Sequence, residues 1–192
     1  MPAELKKLLT ELDNTLFTLI NPYISEVNTQ IMVLFSFFGS HYFLLPANIL
    51  LAAYFLFWKK DKWTGVQVIT ISLTSVLMMH LIKYYFHRVR PVHPVHEAAL
   101  GYSFPSGHSM SAMTFYGMLI YLFFTHLHNT VAKWILAFVL GMVILAIGFS
   151  RVYLRVHYAT DVLAGFCIGY LWLWISLIIL KKFKKNSLHE NA

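Results

Sequence analysis

Residues 162–180 form a run of 19 without a charged side chain, and several other runs approach that length. A bilayer core takes about 20 mainly apolar residues to cross as a helix. Lipid offers no partner for backbone N–H and C=O groups, so such runs must bond internally, as helices. Five stretches qualify: residues 41–58, 64–82, 109–125, 131–149 and 158–180. The expected fold is all-α, a polytopic transmembrane helix bundle of five spans, with a sixth within residues 15–40 as the alternative. Composition agrees. The chain is 58% hydrophobic and 12% charged, with a mean hydropathy of +0.63, and a soluble domain carries about twice that charged fraction. Residues 1–192 therefore read as one integral membrane domain.

The first 40 residues are less regular. Residues 27–58 carry no formal charge apart from a proton on His41, yet one straight helix over them would be about 48 Å long, well beyond a 30 Å core. Gly39-Ser40 and Pro46 are candidate breaks, and Asn21-Pro22 is a turn. Residues 5–20 and 27–38 thus read as interfacial or partly inserted helices, residues 41–180 as the transmembrane core, and residues 181–192 as a disordered basic cytoplasmic tail. Residues 1–12 lack the pattern of a secretory signal and are expected to be retained.

A net charge of +7 suits a nucleic-acid binder, but Lys59, Lys60, Lys62, Lys181, Lys182, Lys184 and Lys185 all flank apolar runs. There they meet anionic head groups and set orientation, so no nucleic-acid partner is expected. The lone Cys167 excludes an internal disulfide and a cysteine metal site. With alternating crossings, Lys59–Lys62, Lys133 and the tail share one side, which the positive-inside rule makes cytoplasmic. The loops 83–108 and 150–157 then share the other side, despite their own positive charge. Binding an anion explains cations placed there.

Those loops hold three clusters. The first contains Lys83, His87, Arg88, Arg90 and Pro91. Lys83, His87 and Arg90 are spaced four and three apart, so they share a helical face if the second span continues by two turns. Arg90 can fork onto phosphate oxygens while Lys83 supplies a point charge. Read alone, the cluster also fits a snorkelling basic patch, and Arg88, out of phase, fits that role. The second is Pro105-Ser106-Gly107-His108 at the start of an apolar run. Ser106 can cap the helix, its free N–H groups can bind an anion, Gly107 permits close approach, and His108 can protonate a departing oxygen. Plain capping beside an interfacial histidine is the simpler alternative. The third runs from Ser150-Arg151 through Arg155 to His157 and Asp161. His157 and Asp161 are four apart, so one helical face would join them, the carboxylate fixing a ring tautomer and freeing the other nitrogen to attack. A structural His–Asp pair at a helix end needs no catalysis, and Asp161 also suits the helix dipole. All three clusters together favour phosphoryl transfer.

These residues resemble the signature of the type 2 phosphatidic acid phosphatase superfamily: Lys-(six residues)-Arg-Pro, Pro-Ser-Gly-His, and Ser-Arg-(five residues)-His-(three residues)-Asp. All three parts are present, at Lys83, Arg90 and Pro91, at Pro105–His108, and at Ser150, Arg151, His157 and Asp161. The resemblance implies that His157 is the nucleophile forming a phosphohistidine, oriented by Asp161, and that His108 protonates the leaving group and later activates water. It implies that Lys83, Arg90, Ser106, Gly107 and Arg151 hold the phosphoryl oxygens, with no metal or other cofactor and with sensitivity to vanadate. The chain also lacks a carboxylate cluster suited to magnesium.

The chain looks most like small bacterial members of that family, which act on undecaprenyl pyrophosphate, phosphatidylglycerol phosphate, phosphatidic acid or lipid A phosphates. The expected partners are such a lipid and the bilayer itself, and the expected location is the inner (plasma) membrane with the site on the extracytoplasmic face. Residues 92–102, with His93, His96 and Glu97, read as a lid and specificity element. The rival function is a transporter or binder of phosphorylated anions, which has no need of His157 and Asp161 at that spacing or of His108 as proton donor.

Overall fold

Four helix starts follow from side chains that accept a first-turn N–H. Ser25 caps α2 (Glu26–Phe38), Asp61 caps α4 (Lys62–Phe86), Ser106 caps α5 (Gly107–His126) and Asn129 caps α6 (Thr130–Tyr153). With α1 (Ala3–Ile20), α3 (His41–Ala53) and α7 (Ala159–Glu190), they make up the fold of this computed structural model, which describes residues 3–96 and 100–190. Every regular element among the described residues is helical.

The helix α5 is the centre, packed against α7, α6, α4 and α3. Its approach to α7 depends on two glycines one turn apart. A Cβ at Gly165 would sit 2.8 Å from the Ser106 carbonyl oxygen, and one at Gly169 would sit 2.7 Å from that of Met110. Small residues serve helix pairing in lipid because neighbouring backbones can then touch. Polar bonds between helices add to this: Ser72 donates to Asn48 at 2.5 Å, Trp172 donates to Thr74 at 3.1 Å, and Ser75 and Thr114 pair at 3.1 Å.

Among the described residues, four runs are long and apolar enough to cross a membrane: Glu26–Trp58, Lys62–Phe86, Thr130–Tyr153 and Ala159–Lys184. The expected third span, now α5, is not among them. Its 20 residues include Ser109, Met110, Ala112, Thr114, Phe115 and Tyr116, all buried against other helices. A helix enclosed by protein needs less apolar surface than one facing lipid.

The first run breaks at one of the two expected points and not at the other. The chain is interrupted at Gly39-Ser40, while Pro46 lies within α3 without ending it. The segment expected to be interfacial, residues 27–38, is α2, which joins α3 in one apolar run and packs against α6. A turn at Asn21–Tyr23 separates α1 from α2. The tail expected to be disordered instead continues α7 to Glu190. Lysine is a good helix former, so α7 has no local reason to stop at the end of its apolar segment.

Candidate active site

The C-terminal ends of α4 and α6 and the N-terminal ends of α5 and α7 meet at one end of the bundle, where Arg88, Arg90, Tyr102 and Ser103 of the α4–α5 connection bond to them and to the α6–α7 connection. Lys83 lies in the last turn of α4, and the helix ends at Phe86, where His87 adopts a left-handed backbone with φ 48°. The expected face shared by Lys83, His87 and Arg90 therefore does not form. Folding of the loop replaces it. His87 instead packs edge-on against Tyr102, its ring centroid 4.4 Å away.

Arg90 is held from several sides. Its Nε donates to the Gly101 carbonyl at 2.9 Å, Nη2 to Leu100 at 3.0 Å and Nη1 to Val156 at 2.7 Å. Nη1 also lies 3.1 Å from Nε2 of His157. A guanidinium has no lone pair to offer, so at this contact Nε2 must accept. The ring is neutral, its proton is on Nδ1, and its free electron pair is on Nε2. Burial, followed by the charges of Arg90, Arg151 and Lys83, pushes the His157 pKa down to about 4 against the upward pull of Asp161.

Asp161 supports the Nδ1 side, although not as the spacing suggested. The helix α7 begins at Ala159, so His157 precedes it and the two residues share no helical face. His157 Nδ1 and Asp161 Oδ2 are 3.8 Å apart, beyond a hydrogen bond. Ser103 bridges them, donating to Asp161 Oδ2 at 2.5 Å while its oxygen lies 3.4 Å from His157 Nδ1. The carboxylate also accepts from the Tyr158 N–H at 3.0 Å and from Arg88 Nη1 at 2.6 Å. Arg88 is thus no snorkelling residue.

The other expected phosphate ligands lie around this pair. Lys83 Nζ donates to the Tyr102 carbonyl at 2.6 Å. Arg151 is buried and donates to Ser36 of α2, while its Nε has no partner among the described residues. Ser106 is buried and accepts from the Ser109 N–H at 3.4 Å and its hydroxyl at 2.9 Å. Gly107 leaves room beside Met79, whose sulfur would lie 2.7 Å from an added Cβ. His108, half-buried in the first turn of α5, is within electrostatic reach of Arg151, His157, His41 and Arg90. It also lines a cleft of about 540 Å³ whose apolar walls include Leu44, Leu45, Val76, Met79 and Phe115.

Of the expected lid, His93 and His96 are exposed, and Glu97 lies outside the described residues. Val95 ties the segment down through its N–H, which donates to the Leu154 carbonyl at 3.0 Å. Ser150 turns its hydroxyl back to the Ile147 carbonyl at 2.7 Å. Sequence reasoning missed Ser36, Ser103, Asp13 and the true partners of Arg88. Only Arg88 and Ser103 had a signal, Arg88 as a member of the first cluster and Ser103 as a near neighbour of the second. Among the described residues, no three His, Cys, Asp or Glu side chains converge as a metal-binding group.

The arrangement places one buried neutral imidazole, its Nε2 electron pair held by Arg90 until a phosphate takes that cation, among fixed cations, beside a second imidazole at the mouth of an apolar cleft. It can attack phosphorus, neutralise the equatorial oxygens and protonate a departing oxygen.

The chain is similar to known proteins over most of its length. A family model described as the PAP2 superfamily matches residues 64–185. Phosphatidylglycerophosphatase B of Bacillus subtilis (strain 168) is 35% identical over 167 residues, covering 85% of this chain and 79% of that protein. Undecaprenyl-diphosphatase of Sulfolobus acidocaldarius is 29% identical over 170 residues, covering 85% and 74%. The crystal structure of a transmembrane PAP2-type phosphatidylglycerolphosphate phosphatase from Bacillus subtilis matches with a TM-score of 0.82 at 29% identity, covering 93% of this chain and 87% of that one. With the family model spanning more than half its length, the chain belongs to the PAP2 superfamily.

Proposed function

We propose that this multi-pass membrane protein is a metal-independent lipid phosphatase working through a phosphohistidine. The observation that carries the reading is the contact between Arg90 Nη1 and His157 Nε2 at 3.1 Å. It leaves the nucleophilic electron pair on the nitrogen that faces a cation, where a phosphate would sit.

Nε2 of His157 attacks phosphorus, forming the N–P bond as the P–O bond to the leaving group breaks. His108 gives its proton to that leaving oxygen. Lys83, Arg90, Arg151, Ser106 and the Gly107 backbone hold the phosphoryl oxygens, where negative charge spreads in the transition state. Asp161 stabilises the cationic phosphorylated ring. His108, now neutral, takes a proton from water. The resulting nucleophile displaces His157, which recovers its electron pair as inorganic phosphate departs.

The cleft beside His108 is on the leaving-group side, and its apolar walls suit a hydrocarbon chain. A lipid could therefore react without leaving the bilayer. Undecaprenyl pyrophosphate is the first substrate choice, ahead of phosphatidylglycerol phosphate, phosphatidic acid and lipid A phosphates. The names of the relatives support diphosphate and monoester substrates alike. The charge pattern supports a site on the extracytoplasmic face of the inner membrane, with the lysine-rich end of α7 in the cytoplasm. The chain acts as a single domain, with α1 at the interface, α2 joined to α3 in the first span, and residues 41–180 as the catalytic core.

The test is phosphate release from these lipids by purified protein in chelator. A base-stable, acid-labile phosphoenzyme is expected on rapid quench. His157→Ala should lower turnover by at least about 10³-fold, as expected for loss of a nucleophile, while thermal unfolding stays near wild type. Binding of the lipids without turnover would make the protein a binder or transporter of phosphorylated anions instead.

A further inference from the structure

Asp13 is a buried carboxylate, only 1% exposed, that the reaction above does not use. It lies on α1, outside the family-matched residues 64–185. Leu16, Phe17 and Ile20 seat α1 against Val152, Ala159 and Val162, which brings Asp13 to the first turn of α7.

Each carboxylate oxygen is engaged there. Oδ1 accepts the Thr160 N–H at 3.0 Å, one of the first N–H groups of α7, which have no partner within the helix. Oδ2 accepts the Thr160 hydroxyl at 2.8 Å and Arg88 Nη2 at 2.9 Å. The other amino group of Arg88, Nη1, donates to Asp161 Oδ1 at 2.6 Å and to Thr160 Oγ1 at 2.7 Å. The guanidinium carbon also stacks 4.2 Å above the Tyr158 ring centroid. Arg88 is therefore divided between two buried carboxylates, and the second of them supports His157.

That division has a chemical consequence. Without Asp13, Arg88 can turn both amino groups onto Asp161 in the bidentate geometry guanidinium favours. The Asp161 carboxylate would then rotate away from Ser103 and Nδ1 of His157, and its charge would be more fully neutralised. Both changes weaken support for the cation that forms as His157 takes up phosphorus. Anchoring α1 alone needs only the apolar contacts and the Thr160 bonds. It does not require a cation shared with the catalytic carboxylate.

We propose that Asp13 is a positioning residue for phosphoryl transfer, holding Arg88 and Thr160 so that Asp161 keeps His157 aligned for attack. The proposal rests on the phosphohistidine reading above. The N-terminal helix then belongs to the catalytic unit although it contributes no group that touches substrate.

The test uses the full chain in nanodiscs with phosphatidylglycerol phosphate and undecaprenyl pyrophosphate as probes. Asp13→Asn should lower kcat by about 10- to 100-fold, the scale of a displaced reacting group, while KM stays within about twofold and the protein remains folded. Placed in an Asp161→Asn background, the same substitution should change kcat less than about twofold, because residues acting through one another are not additive. An equal loss of kcat in both backgrounds, an unchanged kcat, or a rise in KM alone would each overturn the proposal. If Asp13→Asn does not fold, Asp13→Glu takes its place, with phosphoenzyme formation measured per folded molecule: a slower burst is expected, and an unchanged burst overturns the proposal. No turnover by wild type on either lipid would instead defeat the phosphatase reading, so the two failures are distinguishable.

Discussion

The two ends of this bundle carry the same kinds of residue and handle them differently. At one end Asp61 caps α4, accepting the Thr64 N–H at 3.1 Å and its hydroxyl at 2.6 Å. His126 approaches Asp61 only to 3.9 Å, and the two side chains are 44% and 35% exposed. Lys181 hangs 5.0 Å from the Tyr121 ring centroid. Such loose, wet contacts contribute little to stability. At the other end Arg90 and Arg88 are fixed by carbonyls and carboxylates at 2.6–3.0 Å. Desolvating cations costs free energy even when they are paired. Immobilising them beside a neutral histidine suits the proposed binding of an anion that arrives and leaves. Residue type alone does not separate topology from catalysis. Burial and fixed partners do.

The largest effect expected from sharpening this contrast is at His108. Replacing it with Ala should slow hydrolysis of lipid phosphates by about 10²–10⁴-fold, the range of general acid catalysis. Aryl phosphates, whose leaving groups depart without a proton, should be slowed far less. Turnover of both classes under conditions where chemistry limits the rate checks this. Equal slowing would remove His108 from the proton-donor role and leave it a member of the charged wall.

A smaller effect concerns pH. In the proposed reaction His157 attacks only when neutral, and its pKa lies at about 4 rather than the ordinary value of 6.5. Its contribution to kcat/KM should therefore persist as pH falls through 6 and decline about tenfold per unit only below about 4. The stability sign is consistent: the unfolded chain takes up this proton near 6.5 and the folded protein near 4. Stability from keeping the ring neutral is thus full above 6.5 and lost as pH falls through that window. Profiles of kcat/KM and of unfolding temperature against pH read the two limbs separately. An acid limb near 6.5 that His157→Gln shifts in binding measurements would show the ring to be solvated, like His126 at the opposite end.

What could be read from the chain follows the same division. The apolar runs and the three clusters were legible because each is local: a span needs only consecutive residues, and a cluster needs only spacing. Geometry at helix ends was not. Lys83, His87 and Arg90 have helical spacing, but the residue before a proline disfavours helix, and α4 ends at Phe86. His157 and Asp161 have i, i+4 spacing, yet a helix N-terminus falls between them. Nothing along the chain links Asp13 to Thr160, or Ser36 to Arg151. Those pairs are more than 100 residues apart and meet only because α1 and α2 pack back onto α6 and α7. Conversely, α5 was read correctly as a helix from its apolar content, while its burial at the centre of the bundle explains why it is the least lipid-like of the expected spans.

The smallest expected effect tests the far end directly. Asp61→Ala removes the cap of α4, and capping substitutions cost about 1 kcal/mol of stability. Its partner His126 is too distant and too exposed to add much. Unfolding temperature should fall by a few degrees, while kcat and KM per folded molecule stay within about twofold of wild type, since α4 reaches the site at its other end, through Lys83, Met79 and Val76. A tenfold loss of kcat with the fold intact would mean that the position of α4 along its axis is transmitted to Lys83. The two ends would then form one mechanical unit, and the contrast between a solvated end and a tightly bonded end would fail.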